Sequence, residues 1–361
     1  MLKENFWLII IILLVFQRII VQYISVFSYY DEIVMLIFLT IYILNICLNK
    51  KIMKHEGKII FLIFMTIIIG ISGNFISDFE RPYSLIISGI IVWFKSFIVF
   101  ICANRYFSKF YSGTNGIIKK TAKVVRLIVL CAFIGLILSP ITKFGVDTLS
   151  VRMRYGLHPY KFLYSQPALL SWYCIAFAMI LMLDLAFNTN KKKNIIYLIL
   201  NSIVWAFTLR SRAFAFIISF WILYFIIFKL ERFPKIKFKY IAITGIIVFL
   251  VGGSAIQKYF MSGETTRAIL LFTGIDIAKK YFPLGVGFAN YATSASFKAY
   301  SPVYYLYGFN NIYRLNQSED GMTELTDCYW PAVMGELGVL GVIFIVAILF
   351  KIGKYLINKS K

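Results

Sequence analysis

Histidine is scarce in this chain, and its scarcity removes a class of chemistry. Only His55 and His158 occur, without an HExxH pair, so a histidine-based metal centre has no ligand set. Sixteen Asp and Glu face 38 Lys and Arg, a formal charge of +22. There is no GxxxxGK[ST] loop, which argues against direct use of ATP. The glycines of Leu284-Gly285-Val286-Gly287-Phe288 lack the third glycine and the soluble βαβ unit of a dinucleotide fingerprint. The five cysteines supply neither a disulfide framework nor a CxxC zinc pair. Cys47, Cys102, Cys131 and Cys174 fall in or beside apolar blocks, where a thiol acts as a small hydrophobe, and Cys328 stands apart. No cofactor is expected.

What is abundant is hydrocarbon. Of 361 residues 60% are hydrophobic and 15% charged, against roughly half and a quarter in soluble domains. The apolar residues come in blocks of about 17 to 25, the length a bilayer demands of a helix. The fold expected is all-α, a polytopic helical bundle forming one integral membrane domain over residues 1–361. About ten spans are predicted, near 6–27, 33–49, 59–76, 84–102, 124–142, 167–187, 194–209, 213–228, 240–256 and 331–350. The first block is too long for a signal-peptide core and no cleavage motif follows it, so it reads as a retained span.

Alternate connections then separate by charge. Lys3, the Lys50–Lys58 group, Arg105 through Arg126, Lys191–Lys193, Lys229–Lys239 and the Lys351–Lys361 tail share one side. The positive-inside rule makes that side cytoplasmic and places both termini there. The basic charge is thereby explained as an orientation signal rather than as a nucleic-acid surface. Heavy use of Lys, Ile, Asn and Phe suits an AT-rich bacterial source.

On the opposite side lie 28–32, 77–83, a medium loop at 143–166, a short turn at 210–212 and a long loop at 257–330. Arginines here run against the positive-inside rule. Arg152 and Arg154 occupy the medium loop, and Arg210 and Arg212 the turn. One explanation is snorkelling at the headgroups. The other is a phosphate or pyrophosphate site, for which the planar guanidinium fork is suited, with a lipid-linked phosphate reaching it from the bilayer. Short flanking helices would draw Arg210 and Arg212 towards the membrane plane. Arg18 and Lys95 lie within apolar blocks, where charge is costly.

The long loop opens with Arg267 and an apolar-periodic stretch from Ala268 to Lys280, read as an amphipathic interfacial helix. Beyond it come Tyr291, Phe297, Tyr300, Tyr304, Tyr305, Tyr307, Phe309 and Tyr313, interleaved with Ser and Asn. Such a surface suits either an aromatic belt or sugar, whose C–H faces and hydroxyl rims match tyrosine. A loop of this length is more often functional than not, which favours a glycan-facing lid.

Arg154-Tyr155-Gly156-Leu157-His158-Pro159, Thr208-Leu209-Arg210-Ser211-Arg212, Pro283-Leu284-Gly285-Val286-Gly287 and Asp327-Cys328-Tyr329-Trp330-Pro331, followed by Gly335-Glu336-Leu337-Gly338, occur in an order that resembles the O-antigen polymerase and ligase superfamily of bacterial membrane proteins. The likeness covers roughly residues 150–345, and Tyr160 stands where the family often has Asn. The resemblance implies transfer of a saccharide from undecaprenyl diphosphate at the outer face of the cytoplasmic membrane. Partners would be a lipid-linked oligosaccharide, membrane lipid and other polysaccharide-assembly proteins such as a flippase or chain-length regulator, with no nucleic acid. Family ligases use a histidine in the long outer loop, and none occurs between 257 and 330, which favours a polymerase over a ligase.

In that reading Arg154, Arg210 and Arg212, with Arg152 and Arg267 next, stabilise the leaving diphosphate. His158, Asp320, Asp327 and Glu336 are candidates to orient or deprotonate the acceptor hydroxyl. A structural hydrogen bond beside Pro159 competes for His158, and anchoring of the last span competes for Glu336. A lipid-saccharide flippase is the alternative of a different class, and it would carry broken helices in two repeated halves, of which the sequence has no trace.

Overall fold

Long apolar runs leave the backbone no partner in lipid but itself, and helix is the result. The computed structural model describes residues 2–49, 52–109, 111–148, 153–187, 191–228, 265–317, 324–326 and 328–359. The span expected at 240–256, together with Arg152, Asp320 and Asp327, lies outside the described residues.

The long helices are α1 (Leu2–Ile20), α2 (Tyr30–Asn49), α3 (Lys54–Ile76), α4 (Tyr83–Lys109), α5 (Tyr111–Thr142), α6 (Pro167–Phe187), α7 (Lys191–Ala206) and α8 (Ser211–Phe228). They are followed by α9 (Thr266–Lys280), two single-turn helices, α10 (Ser294–Lys298) and α11 (Pro302–Leu306), and finally α12 (Tyr329–Lys359). Among the described residues there is no strand, only two isolated bridges. Among the described residues six segments are long and apolar enough to cross a membrane: Ser25–Leu48, Lys54–Ile76, Tyr83–Phe107, Gly116–Thr142, Pro167–Phe187 and Tyr329–Leu356. Asn5–Ile20 and Ser211–Phe225 are apolar but shorter. The 16-residue α7, opening on three lysines, is about 24 Å long against a hydrocarbon core of about 30 Å. Leu48, Phe75 and Ile141 point outward at 84%, 74% and 85% exposure, which water would not tolerate across so many helices and lipid does. This is a multi-pass helical membrane protein.

Several edges differ from those expected. α1 stops at Ile20, and the chain turns through Ser25–Tyr29. The Gln17 amide holds that turn, donating to the Phe27 and Ser28 carbonyls and to Asp31 Oδ1 at 3.2, 3.3 and 2.8 Å. Arg18 is therefore an exposed residue in the last turn of a helix rather than a charge in mid-span. Lys95 does lie well inside α4, half-buried.

The chain divides into two compact units, each built from two stretches of sequence. Unit 1 comprises Met1–Ile37 and Asn104–Ala255, unit 2 Phe38–Ala103 and Ile256–Lys361. In unit 1, α5 packs on α1, α6 and α7 around Val15, Val129, Phe177, Leu181 and Leu198. Arg126, expected among the cytoplasmic orientation charges, is mostly buried and paired with Asp184. Asn194 completes the group, accepting from Arg126 at 3.0 Å and donating to Asp184 at 2.7 Å. In unit 2, α3 and α9 pack on α12.

Candidate functional site

At one end of unit 1 the medium loop folds back on the α7–α8 connection. Tyr155 and Gly156 adopt φ of +54° and +74°, the geometry of a two-residue hairpin turn, and Arg154 and Leu157 exchange backbone hydrogen bonds across it at 3.0 and 2.9 Å. The base of the loop is tied by Asp147 N to the Pro159 carbonyl at 2.9 Å and by Lys161 N to the Gly145 carbonyl at 2.7 Å. Tyr160 then plugs it into the helices: its N–H donates to the Phe207 carbonyl at 2.8 Å and its hydroxyl to the Ala132 carbonyl at 3.0 Å. Burial pushes that phenol well above its ordinary range, so it stays a donor.

This docking brings Arg154 beside the short turn, where its guanidinium donates to the Leu209 carbonyl at 3.3 Å. Leu209 itself has φ of +52°, turning the chain sharply between α7 and α8. Arg210 and Arg212 then line a groove with Ala168, Ser171, Trp172, Ile175 and Phe216 from α6 and α8. The groove joins two arginines to an apolar and aromatic wall. His158, exposed, turns its Nδ1 N–H to the Asp147 carbonyl at 3.1 Å, a bond that braces the loop beside Pro159.

Unit 2 holds the other sequence-derived candidates. Arg267 is half-buried in the first turn of α9. Glu336 is fully buried in α12. Its Oε2 accepts from Trp93 Nε1 at 2.7 Å, and its Oε1 from Asn290 N, Tyr291 N and Thr293 Oγ1 at 3.0, 3.1 and 2.7 Å. With zero exposure and four donors, this carboxyl organises the chain around it, and no face of it is open to an acceptor sugar.

The glycine motif docks into α12 at the same place. α12 breaks at Gly338, with φ of +61° and ψ of −162°. The carbonyls of Gly335 and Glu336 accept from Val286 N and Gly287 N, both at 2.9 Å, while the Pro283 carbonyl takes Leu340 N at 3.2 Å. Asn74 of α3 pairs with both backbone groups of Phe288, at 2.9 and 2.8 Å. The glycines are what the joint requires: a Cβ on Gly287 would lie 2.3 Å from Asn74 N, and one on Gly335 2.3 Å from the Tyr291 ring.

Beyond the joint the aromatics divide. Tyr291, Tyr304 and Phe309 are buried, so these rings, expected on a glycan-facing surface, form a small core instead. Tyr305 and Tyr313 are exposed. The helix expected at Ala268–Lys280 is present as α9, but its small residues pack on the start of α12, with Gly274 tight against Pro331.

Arg81, in the connection between α3 and α4, went unremarked in the sequence because the adjacent Asp78 and Glu80 balance its charge. Its guanidinium clamps the carbonyls of Ala289 and Ala299 at 2.8 and 2.5 Å. Burial lowers its pKa, and Tyr304 and Glu336 nearby oppose that shift. Trp93, Asn74 and Trp172 were likewise hidden, each inside or at the edge of an apolar block. Set against known protein families, curated proteins and solved structures, the chain finds no match in any of the three.

Proposed function

We propose that the protein is a membrane glycosyltransferase that polymerises a bacterial surface polysaccharide, moving a growing glycan from undecaprenyl diphosphate to a lipid-linked repeat unit outside the cytoplasmic membrane. The observation that carries this is the groove of unit 1, in which Arg210 and Arg212 meet the apolar wall of Trp172, Ile175 and Phe216. An anionic head on a hydrocarbon tail has that same division of chemistry. The ordered motifs of residues 150–345 supply the reaction class. In this reading the chain has about ten spans and both termini in the cytoplasm.

The acceptor hydroxyl oxygen forms the new bond to the anomeric carbon. The bond from that carbon to the diphosphate oxygen breaks, and the electron pair leaves with undecaprenyl diphosphate. Arg210, Arg212 and Arg154 stabilise the charge that develops there, so no cofactor is invoked. The hydroxyl proton passes to a base among His158, Asp320 and Asp327. Glu336 holds unit 2 in shape rather than meeting substrate.

Arg210→Ala or Arg212→Ala is expected to reduce the repeat-unit ladder by about 10- to 100-fold at normal membrane abundance, the loss of one charge-assisted hydrogen bond. Unchanged ladders would sink the reading. In a deletion strain, a single lipid-linked repeat means a polymerase, whereas full chains left on lipid mean a ligase and units held in the inner leaflet a flippase. The break in α12 does not favour the flippase, because residues 283–287 satisfy the freed backbone.

A further inference from the structure

Two tyrosines stand on the small aromatic core of unit 2. Tyr304 and Phe309 stack beneath with centroids 5.5 Å apart, and Tyr304 is fixed by Ser296 Oγ at 2.7 Å and Ala292 N at 2.8 Å. Tyr300 and Tyr305 meet edge to face above them at 5.2 Å. Tyr305 is 52% exposed, yet its hydroxyl accepts from Gln317 Nε2 at 2.6 Å. The Tyr300 hydroxyl donates to the Leu315 carbonyl at 2.8 Å. Burial and the neighbouring Tyr305 push Tyr300 up to about 12, so that donor keeps its proton.

Tyrosines of a membrane belt sink the ring into lipid and leave the hydroxyl among headgroups. Here both hydroxyls are turned into protein contacts, and what faces outward is ring surface edged by the remaining hydrogen-bonding capacity of an exposed amide. Among the described residues beside the rings, Arg314 pairs with Glu324 at 2.9 Å. A phosphate would require unpaired cations. A ring face held in place and edged by an amide complements a sugar ring, and fixing it beforehand lowers the entropic cost of binding.

We propose that Tyr300, Tyr305 and Gln317 form a preorganised platform for an uncharged saccharide unit. The inference rests on the glycan-transfer reading above and names the part of the chain that holds sugar rather than diphosphate.

The test uses the full chain in lipid nanodiscs. The probe is the repeat-unit oligosaccharide released by mild acid from the lipid-linked material that a deletion strain accumulates, observed by saturation-transfer NMR. Wild type and Tyr305→Phe are expected to saturate the sugar C–H protons alike, because both keep the ring. Tyr305→Leu keeps apolarity without a flat face and is expected to bind about tenfold more weakly, as is Gln317→Ala. Tyr305→Leu and Gln317→Ala binding like wild type, or no transfer to wild type, overturns the platform and leaves the rings as lipid anchors. A deletion strain with unaltered surface glycan removes the transferase reading and the platform together. Accumulated repeat unit with undiminished binding by both variants removes the platform alone.

Discussion

At Glu336 the arithmetic of donors and acceptors decides what a substitution does. Glu336→Gln leaves one oxygen for Asn290, Tyr291 and Thr293 and turns an amide NH2 against the Trp93 N–H, donor against donor. That conflict in a buried site costs about 1–3 kcal/mol. The thermal midpoint of the detergent-solubilised protein is expected to fall, and Trp93→Phe in the same chain to restore part of the loss by removing the opposing donor. A non-additive double-mutant cycle is the signature, and strict additivity would show that the two side chains are not coupled. The tyrosines nearby make a second prediction at this scale. Tyr300 is raised from 10.0 to about 12, and burial moves Tyr291, Tyr304 and Tyr307 in the same direction. A phenol raised in the folded state contributes stability that is complete below its unfolded value and is lost as pH climbs through the folded one. The 281–317 segment should therefore hold up to about pH 10 and unravel between about pH 10 and 12, read as a cooperative rise in tyrosinate absorbance. A tyrosinate rise with no component above that of the exposed phenols would contradict the burial.

Among the elements, α12 and the glycine loop show why a motif of small residues can be structural. A helix broken within a membrane-crossing segment exposes carbonyls that lipid cannot satisfy, and the loop's own N–H groups are delivered to them at 2.9 Å. Gly287, at φ of +82°, has neither conformational nor steric room for a side chain. Gly156, at φ of +74° in the hairpin, has nothing within 4 Å of the place a methyl group would occupy, so only its backbone conformation resists. Gly287→Ala is expected to cost about 3 kcal/mol or more and to deplete folded protein from membranes. Gly156→Ala should cost about 1–2 kcal/mol and leave abundance near normal. Comparing the two by fluorescence-detected gel filtration checks the distinction, and equal depletion would mean the joint is looser than its contacts indicate.

For the whole molecule the question is sidedness. Unit 1 places the medium loop and the α7–α8 turn at one end, joined by the hydrogen bond from Tyr160 to Phe207. Unit 2 likewise gathers residues 77–81, the glycine loop and the start of α12, with Ser77 Oγ donating to the Val286 carbonyl at 3.0 Å. Both groupings match the alternation expected from charge. Whether the termini share a side turns on the segment 240–256, since α1 to α8 with α12 make an odd number of passes if each crosses. Reporter fusions at the two termini are expected to read cytoplasmic alike, and opposite readings would remove that span or one of the short helices α1, α7 or α8 from the count.

Hydrophobic blocks were enough to announce a helical membrane protein, because a bilayer asks of each span only length and apolarity, both of which are local. The same locality made Arg210 and Arg212 conspicuous, as charges on the side where basic residues are rare. Which tyrosines are core and which are surface was not legible, since Tyr304 and Tyr305 are adjacent in sequence and differ only in what folds over them. Nor could periodicity find Arg81, Asn74 or Trp93, whose partners lie more than 200 residues away. Glu336 stood out only as a lone carboxylate beside glycines, and tertiary structure alone made it the acceptor of four hydrogen bonds. Composition determines the solvent a chain lives in, and pairing between distant segments determines what each polar group does there.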